Sequence, residues 1–241
     1  MKSMVASGPW LRRATRWMLV AACWWALLVQ AQPSRNLAPG FQTREATARV
    51  AIVPADIELF SMSGGGVLEP RADWTAAADR HFHAALESHK ALQGGNVLRL
   101  QERDLDDLSE VNALHGAVAQ AIFLHHMMGI ARLPTKNDTL DWSMGDAVRS
   151  LREKTGADYA LFTWIRDSYA SAERKAAMVA LALFGIGVVG GSQIGYASLV
   201  DLHTGRVVWF NDLRRASGDL REARDAAETV DALLRGFPPA R

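Results

Sequence analysis

The chain reads as an α/β protein: a single mixed sheet of about five strands flanked by helices, ending in an antiparallel hairpin and a final helix. Three observations predict this. Apolar residues recur at three- and four-residue spacing, with stop signals, in several windows. Residues 159–165 are almost continuously apolar, as expected of a strand covered on both faces. Two later apolar runs, 194–202 and 207–210, flank His203-Thr204-Gly205-Arg206, a tight turn with a glycine available for positive φ.

Residues 1–31 have the parts of a secretory signal peptide. Lys2, Arg12, Arg13 and Arg16 make a basic start without an acidic residue, and 17–29 is an apolar run of 13 residues. That run is shorter than the roughly 17–25 residues a spanning helix needs. Val29-Gln30-Ala31 then places short residues where a peptidase cuts, so cleavage after Ala31 is expected. Val20-Ala21-Ala22-Cys23 also resembles a bacterial lipobox, which makes lipidation of Cys23 the alternative. Four of the 27 basic residues and none of the 26 acidic ones lie in 1–31, so the remainder carries 23 against 26, a formal −3. Without a basic field, nucleic acid is not an expected partner. The single cysteine lies in the leader. The body therefore has no disulfide and depends on its core, of which about 200 residues can bury roughly 70% of their unfolded surface.

Residues 32–48, with Pro33, Pro39 and Gly40, read as a tether or irregular lead-in, and 49–241 as one envelope domain. The run 49–54 is a first strand stopped by Pro54. Ser63-Gly64-Gly65-Gly66 is a plain loop, because no phosphate-binding pattern accompanies it. Pro70 suits a first helical turn. Trp74, Ala78, Phe82, Ala85, Leu86 and Leu92 form the stripe of a first helix, down to Gly94-Gly95. A short strand is expected at 97–100. Asp104 then caps a second helix with the stripe Leu105, Leu108, Val111, Leu114, Val118 and Ile122. After a polar loop at 134–138, Ser143 and Asp146 start a third helix through Val148 and Leu151, closed by Gly156. Asp219 and Glu222 make a capping box for the last helix. Its stripe is Leu220, Ala223, Ala227, Val230 and Leu234, and Gly236 and Pro238 end it.

Chemistry-bearing residues are scattered. His81, His83 and His89 lie on the first helix, and His125 and His126 end the second. His81 and His89 share a face at a separation of eight, but no His-x₃-His or Glu-paired ligand motif is present. His125 falls on the stripe of Val118 and Ile122, where a partly buried, hydrogen-bonded histidine is expected. Ser192 in Gly191-Ser192-Gln193-Ile194-Gly195 lacks the strained turn of a nucleophile elbow. Arg166-Asp167, directly after the apolar run, read as a solvated strand end. No catalytic site, cofactor or metal is expected; a metal-binding protein or enzyme using the helix histidines stays as an alternative.

The segment 176–191 has 16 residues without a charge, where a short turn would join two strands. Three readings compete. A helix packed on the sheet leads, since uniformly apolar helices are ordinarily buried. A surface for oligomers or protein partners is the second reading, and insertion into a membrane the third. The residues that would carry such a surface are Met178, Leu181, Leu183, Phe184, Ile186, Val188 and Val189.

Two motifs resemble a known group. They are Gly156-Ala157-Asp158-Tyr159 leading into a central strand, and Leu199-Val200-Asp201-Leu202-His203-Thr204-Gly205-Arg206-Val207-Val208-Trp209 across a hairpin. Both, with the element order, resemble the curli-secretion lipoproteins and the lipoproteins that activate penicillin-binding proteins in Gram-negative envelopes. The resemblance implies a non-enzymatic periplasmic or outer-membrane factor, often a homo-oligomer, that acts through protein partners in secretion or cell-wall assembly. In the pore-forming branch, apolar segments placed like 176–191 enter the outer membrane.

Overall fold

In the computed structural model, which describes residues 34–93 and 96–241, the longest strand organises the sheet. The expected leader 1–31 and lipidation at Cys23 lie outside the described residues. Strand β5 (Tyr159–Ala170) carries two shorter strands end to end along one side. β1 (Arg49–Ile52) runs parallel to its start and β2 (Asp56–Met62) parallel to its second half. Beyond them lie β4 (Asn96–Arg99), parallel to β1, and β3 (Leu68–Pro70), antiparallel to β2. On the other side β6 (Gly191–Asp201) and then β7 (Val207–Arg215) run antiparallel. The seven strands fill five columns, in a mixed sheet of the expected size.

Pro54 ends the pairing of β1 but not the column. The Val53 N–H still donates to the Leu161 carbonyl at 3.0 Å. Ile52 stands opposite Leu161 and Asp56 opposite Trp164, so four steps on one strand match three on the other. The alternation Asp56-Ile57-Glu58-Leu59 then resumes, with Ile57 and Leu59 buried. Pro70 does not open a helix. It closes β3 at the edge of the sheet, where a missing N–H is harmless, and helix α1 (Ala72–Ser88) starts after Arg71.

Period-two alternation along β5 divides the core. Leu161 and Ile165 face α1 and α5 (Ala223–Leu233), together with Phe82, Trp209 and Val230. Ala160 and Phe162 face α2 (Ser109–Ala121) and α3 (Arg149–Thr155), together with Ile122, Leu151 and Phe210. The result is three layers, helices on both sides of one sheet.

Helix starts and phases depart from the expected ones. Two 3₁₀ turns, Glu102–Asp104 and Asp106–Leu108, precede α2, and Asp104 accepts the Gln101 N–H at 2.8 Å instead of capping that helix. After Ala121 the chain widens into a π-helical turn, Ile122–Met127. His126, not His125, is buried: it lies four residues after Ile122 on the face of Val111, His115 and Ala119, with Nε2 2.8 Å from the Arg35 carbonyl oxygen. In α5 the buried face is Ala226, Thr229, Val230 and Leu233, while Ala223 and Ala227 are exposed. Asp219 engages Arg221 rather than forming the expected box with Glu222. Gly156 and Gly236 close their helices at φ 61° and 74°, as the turn chemistry requires. The lead-in is irregular but bonded to the sheet: the Ala38 N–H donates to the Val208 carbonyl and the Phe210 N–H to that of Asn36, covering part of the outer edge of β7.

Candidate functional site

The charge-free segment forms a projection rather than a core helix. Helix α4 (Ala172–Ala182) is capped by Ser171, whose hydroxyl accepts the Arg174 N–H at 3.2 Å, and none of its residues is buried. The expectation of a helix packed on the sheet is therefore overturned. Both faces of the sheet are covered by other helices, α1 and α5 on one side and α2 and α3 on the other, which leaves α4 outside the core. Leu183 is 82% exposed, Phe184 80%, Val189 62% and Ile186 51%, while Met178, Leu181 and Val188 are half-buried.

The projection has a fixed shape. The Phe184 and Gly185 N–H groups donate to the Leu181 and Ala182 carbonyls at 3.0 Å, and that of Ile186 to Leu181 at 3.1 Å. At its base Arg174 donates to the Val189 carbonyl through Nε (3.0 Å) and Nη2 (2.8 Å), and to the Ser63 carbonyl through Nη1 (3.4 Å). The β2–β3 turn is thus drawn to the same end of the molecule, and it adds exposed Val67 and Leu68. At Gly191 a Cβ would lie 2.1 Å from the Ser168 carbonyl oxygen, so only glycine brings the returning chain this close to β5.

Beneath this base lies a polar network that sequence reading missed. Asp167 is not a solvated strand end but 2% exposed, and it shares the inward parity of Leu161 and Ile165. Its carboxylate accepts from the Tyr169 hydroxyl and from Gln193 Nε2 at 2.6 Å. Gln193 Oε1 accepts from Arg215 Nε at 2.7 Å, and Arg215 also bonds Thr229 of α5. Burial pushes the Asp167 carboxyl up to about 6 against the bonds from Tyr169 and Gln193, and burial likewise raises the Tyr169 hydroxyl, which stays a donor. The period-two count along β5 was the available signal.

A raised carboxyl binds its proton more tightly folded than unfolded. Its ionisation therefore opposes folding fully above pH 6, and that opposition is relieved as pH falls towards 4. Asp167→Asn is expected to remove this dependence, about 2–3 kcal/mol between pH 4 and 7 relative to the parent chain. Urea midpoints of both chains across that range test it; parallel curves would refute the assignment.

The histidines are dispersed among separate partners. His83 meets Asp79 at 3.2 Å, His89 meets Asp231 at 3.3 Å, and His81 Nδ1 lies 3.4 Å from the Leu220 carbonyl oxygen. His125 Nδ1 lies 2.9 Å from the Ala131 carbonyl oxygen, at the surface. His115, unremarked in the sequence, is buried and stacked on Phe162 at 3.8 Å, with Nε2 2.6 Å from the Ser198 hydroxyl; burial pushes it down to about 3, so it is neutral. No group of three potential metal ligands occurs among the described residues. Ser192 pairs with Ser168 across the β5–β6 ladder. No helix among the described residues is long and apolar enough to cross a membrane.

No family model matches the chain, and no curated protein does. Among solved structures, the PelC dodecamer from Paraburkholderia phytofirmans is 15% identical with a TM-score of 0.38, covering 83% of this chain and 93% of that one. Lipoprotein GNA1162 from Neisseria meningitidis is 14% identical with a TM-score of 0.32, covering 78% and 94%. The LpoB C-terminal domain from Escherichia coli is 12% identical with a TM-score of 0.31, covering 74% and 90%.

Proposed function

We propose that the chain is a non-enzymatic accessory or structural factor of the bacterial cell envelope, exported to the periplasm, which docks protein partners through 176–191. One observation carries this reading: the most exposed large apolar side chains, Leu183 and Phe184, stand together at the tip of an internally bonded projection. Contiguous exposed apolar surface on a soluble domain marks an interaction site. Burying each such side chain is worth about 1.5–3 kcal/mol, which folding leaves unused and binding would recover. The expected leader and the resemblance of the hairpin motif support the compartment.

A second reading, an oligomeric outer-membrane secretion component that inserts the same segment, is favoured by the bonded tip. The Phe184, Gly185 and Ile186 amides are satisfied within the chain, as lipid demands. A photo-crosslinking residue at position 184, used in cells, separates the two. A discrete protein adduct, a second copy of this chain included, is expected. It should disappear when the crosslinking residue at 184 is combined with Leu183→Ser and Ile186→Ser, whose stability should stay within about 0.5 kcal/mol of the parent. Lipid adducts alone, with retention in carbonate-washed membranes, would decide for insertion. No adduct of either kind would overturn both readings.

A further inference from the structure

Neighbouring parallel strands β1 and β4 lead to opposite faces of the sheet. β1 runs on past Pro54 into β2 and β3 and so to α1, on the face of Leu161 and Ile165. β4 leaves through two 3₁₀ turns for α2, on the face of Ala160 and Phe162. In open α/β sheets the crevice outside the carboxyl ends of such a strand pair is where ligands bind. Here it is a cleft of about 290 Å³ between the ends of β1 and β4 and the second half of α1. At roughly 30 Å³ for each, that is room for about ten non-hydrogen atoms.

The buried part of the lining is apolar. Ile52 and Leu86 are 3% and 2% exposed, Pro54 is buried as well, and Leu100 is half-buried. The Leu100 N–H donates to the Ile52 carbonyl at 3.0 Å and the Gln101 N–H to the Asp104 carboxylate at 2.8 Å. A wall held in this way loses little further freedom when a ligand arrives.

The outer lining has an excess of negative charge. His83 lies 3.2 Å from Asp79, and Glu102 makes no ion pair among the described residues. The Arg99 guanidinium is already engaged by Glu87. Whatever charge His83 carries, the carboxylates of Asp79, Glu87 and Glu102 outnumber Arg99 and one imidazole. A carboxylate accepts about four hydrogen bonds, so Asp79 keeps acceptors after meeting His83. An anion would be repelled here, and a neutral molecule would shield Glu102 from water without pairing it. An ammonium group on an apolar body matches both parts of the lining.

We infer that the cleft binds a small free amine, its apolar body against Leu86 and Leu100 and its ammonium at Asp79 and Glu102. No residue of 176–191 lines it, so the site stands apart from the docking function.

Amide chemical-shift titration of the purified protein with phenethylamine at low salt tests it. Saturable shifts at 79–86 and 100–102, with a Kd at or below about 2 mM, are expected. Phenethyl alcohol, which keeps the shape without the charge, should bind at least about fivefold more weakly. Methylamine, which keeps the charge without the apolar body, should bind at least about tenfold more weakly. Glu102→Gln should weaken phenethylamine about threefold, and the double variant Asp79→Asn, Glu102→Gln about tenfold, with the remaining amide spectrum retained. No saturable shifts, equal binding of amine and alcohol, or indifference of the amine to the double variant would overturn the assignment. Shifts centred on 183–186 would place the amine on the projection instead and overturn it as well.

Discussion

Replacing Trp209 by alanine should lower the free energy of unfolding by about 3–5 kcal/mol, the range for deleting a large buried aromatic. Trp209 has no exposed surface and packs edge-on against Phe237, with ring centroids 5.3 Å apart at 85°. Leu37 of the lead-in bridges to it from the other side, so one residue joins both terminal segments to the sheet. Its indole N–H is buried without a partner. Trp209→Phe therefore sacrifices packing but no hydrogen bond, and should cost only about 1–2 kcal/mol. Urea denaturation at unchanged m-value is the measurement; a loss below about 1 kcal/mol for alanine would contradict this account of the core.

Gly205→Ala should be nearly as damaging, at about 2–4 kcal/mol. The residue sits at φ 70°, which a side chain raises in energy by about 1–2 kcal/mol. An added Cβ would also lie 2.2 Å from the Gly145 carbonyl oxygen, and the adjoining Gly205 carbonyl accepts the Met144 N–H at 2.8 Å. Relieving that overlap would have to move the 142–145 loop, which also receives the Val207 N–H at Trp142. Overpacking of this kind adds about 1–3 kcal/mol. Thermal unfolding of Gly205→Ala beside Gly40→Ala separates the causes. Gly40 has φ 80° but open space around it, so an equal fall in both would leave only the dihedral to blame.

The same hairpin shows how far residue type reaches. It was legible because Gly205 sits between two β-branched runs, and the positive φ came with the residue type. The abutment on Gly145 did not, since it joins residues 60 apart. The first helix was legible from Phe82, Ala85 and Leu86, which are buried as their spacing implied. β2 was hidden by Pro54, whose stop signal outweighed the alternation of Ile57 and Leu59. The π turn at 122–127 has no signature in residue type, and His126, four residues after Ile122, takes the buried place expected of His125. At the candidate site, the residues of 176–191 stood out as a set. Apolar character alone does not say whether a helix lies under others or stands clear of them; the other helices already covering both faces of the sheet decided that. Asp167 was missed because its place directly after the apolar run suggested a solvated strand end, whereas alternate strand residues face opposite sides of the sheet.

The seam at 53–55 gives the molecule an unusual tolerance of a chain one residue shorter. Even-numbered Val50 and Ile52 look into the same half of the interior as odd-numbered Ile57 and Leu59, because one surplus residue resets the count between them. Removing a single amino acid from this stretch would restore an unbroken ladder, with Ile57 still opposite Ile165 and the inward face unchanged. Asp56 and Glu58 would keep their present side, so no carboxylate would enter the core. Homologous chains that lack the surplus link should therefore bury the same residues of the second strand.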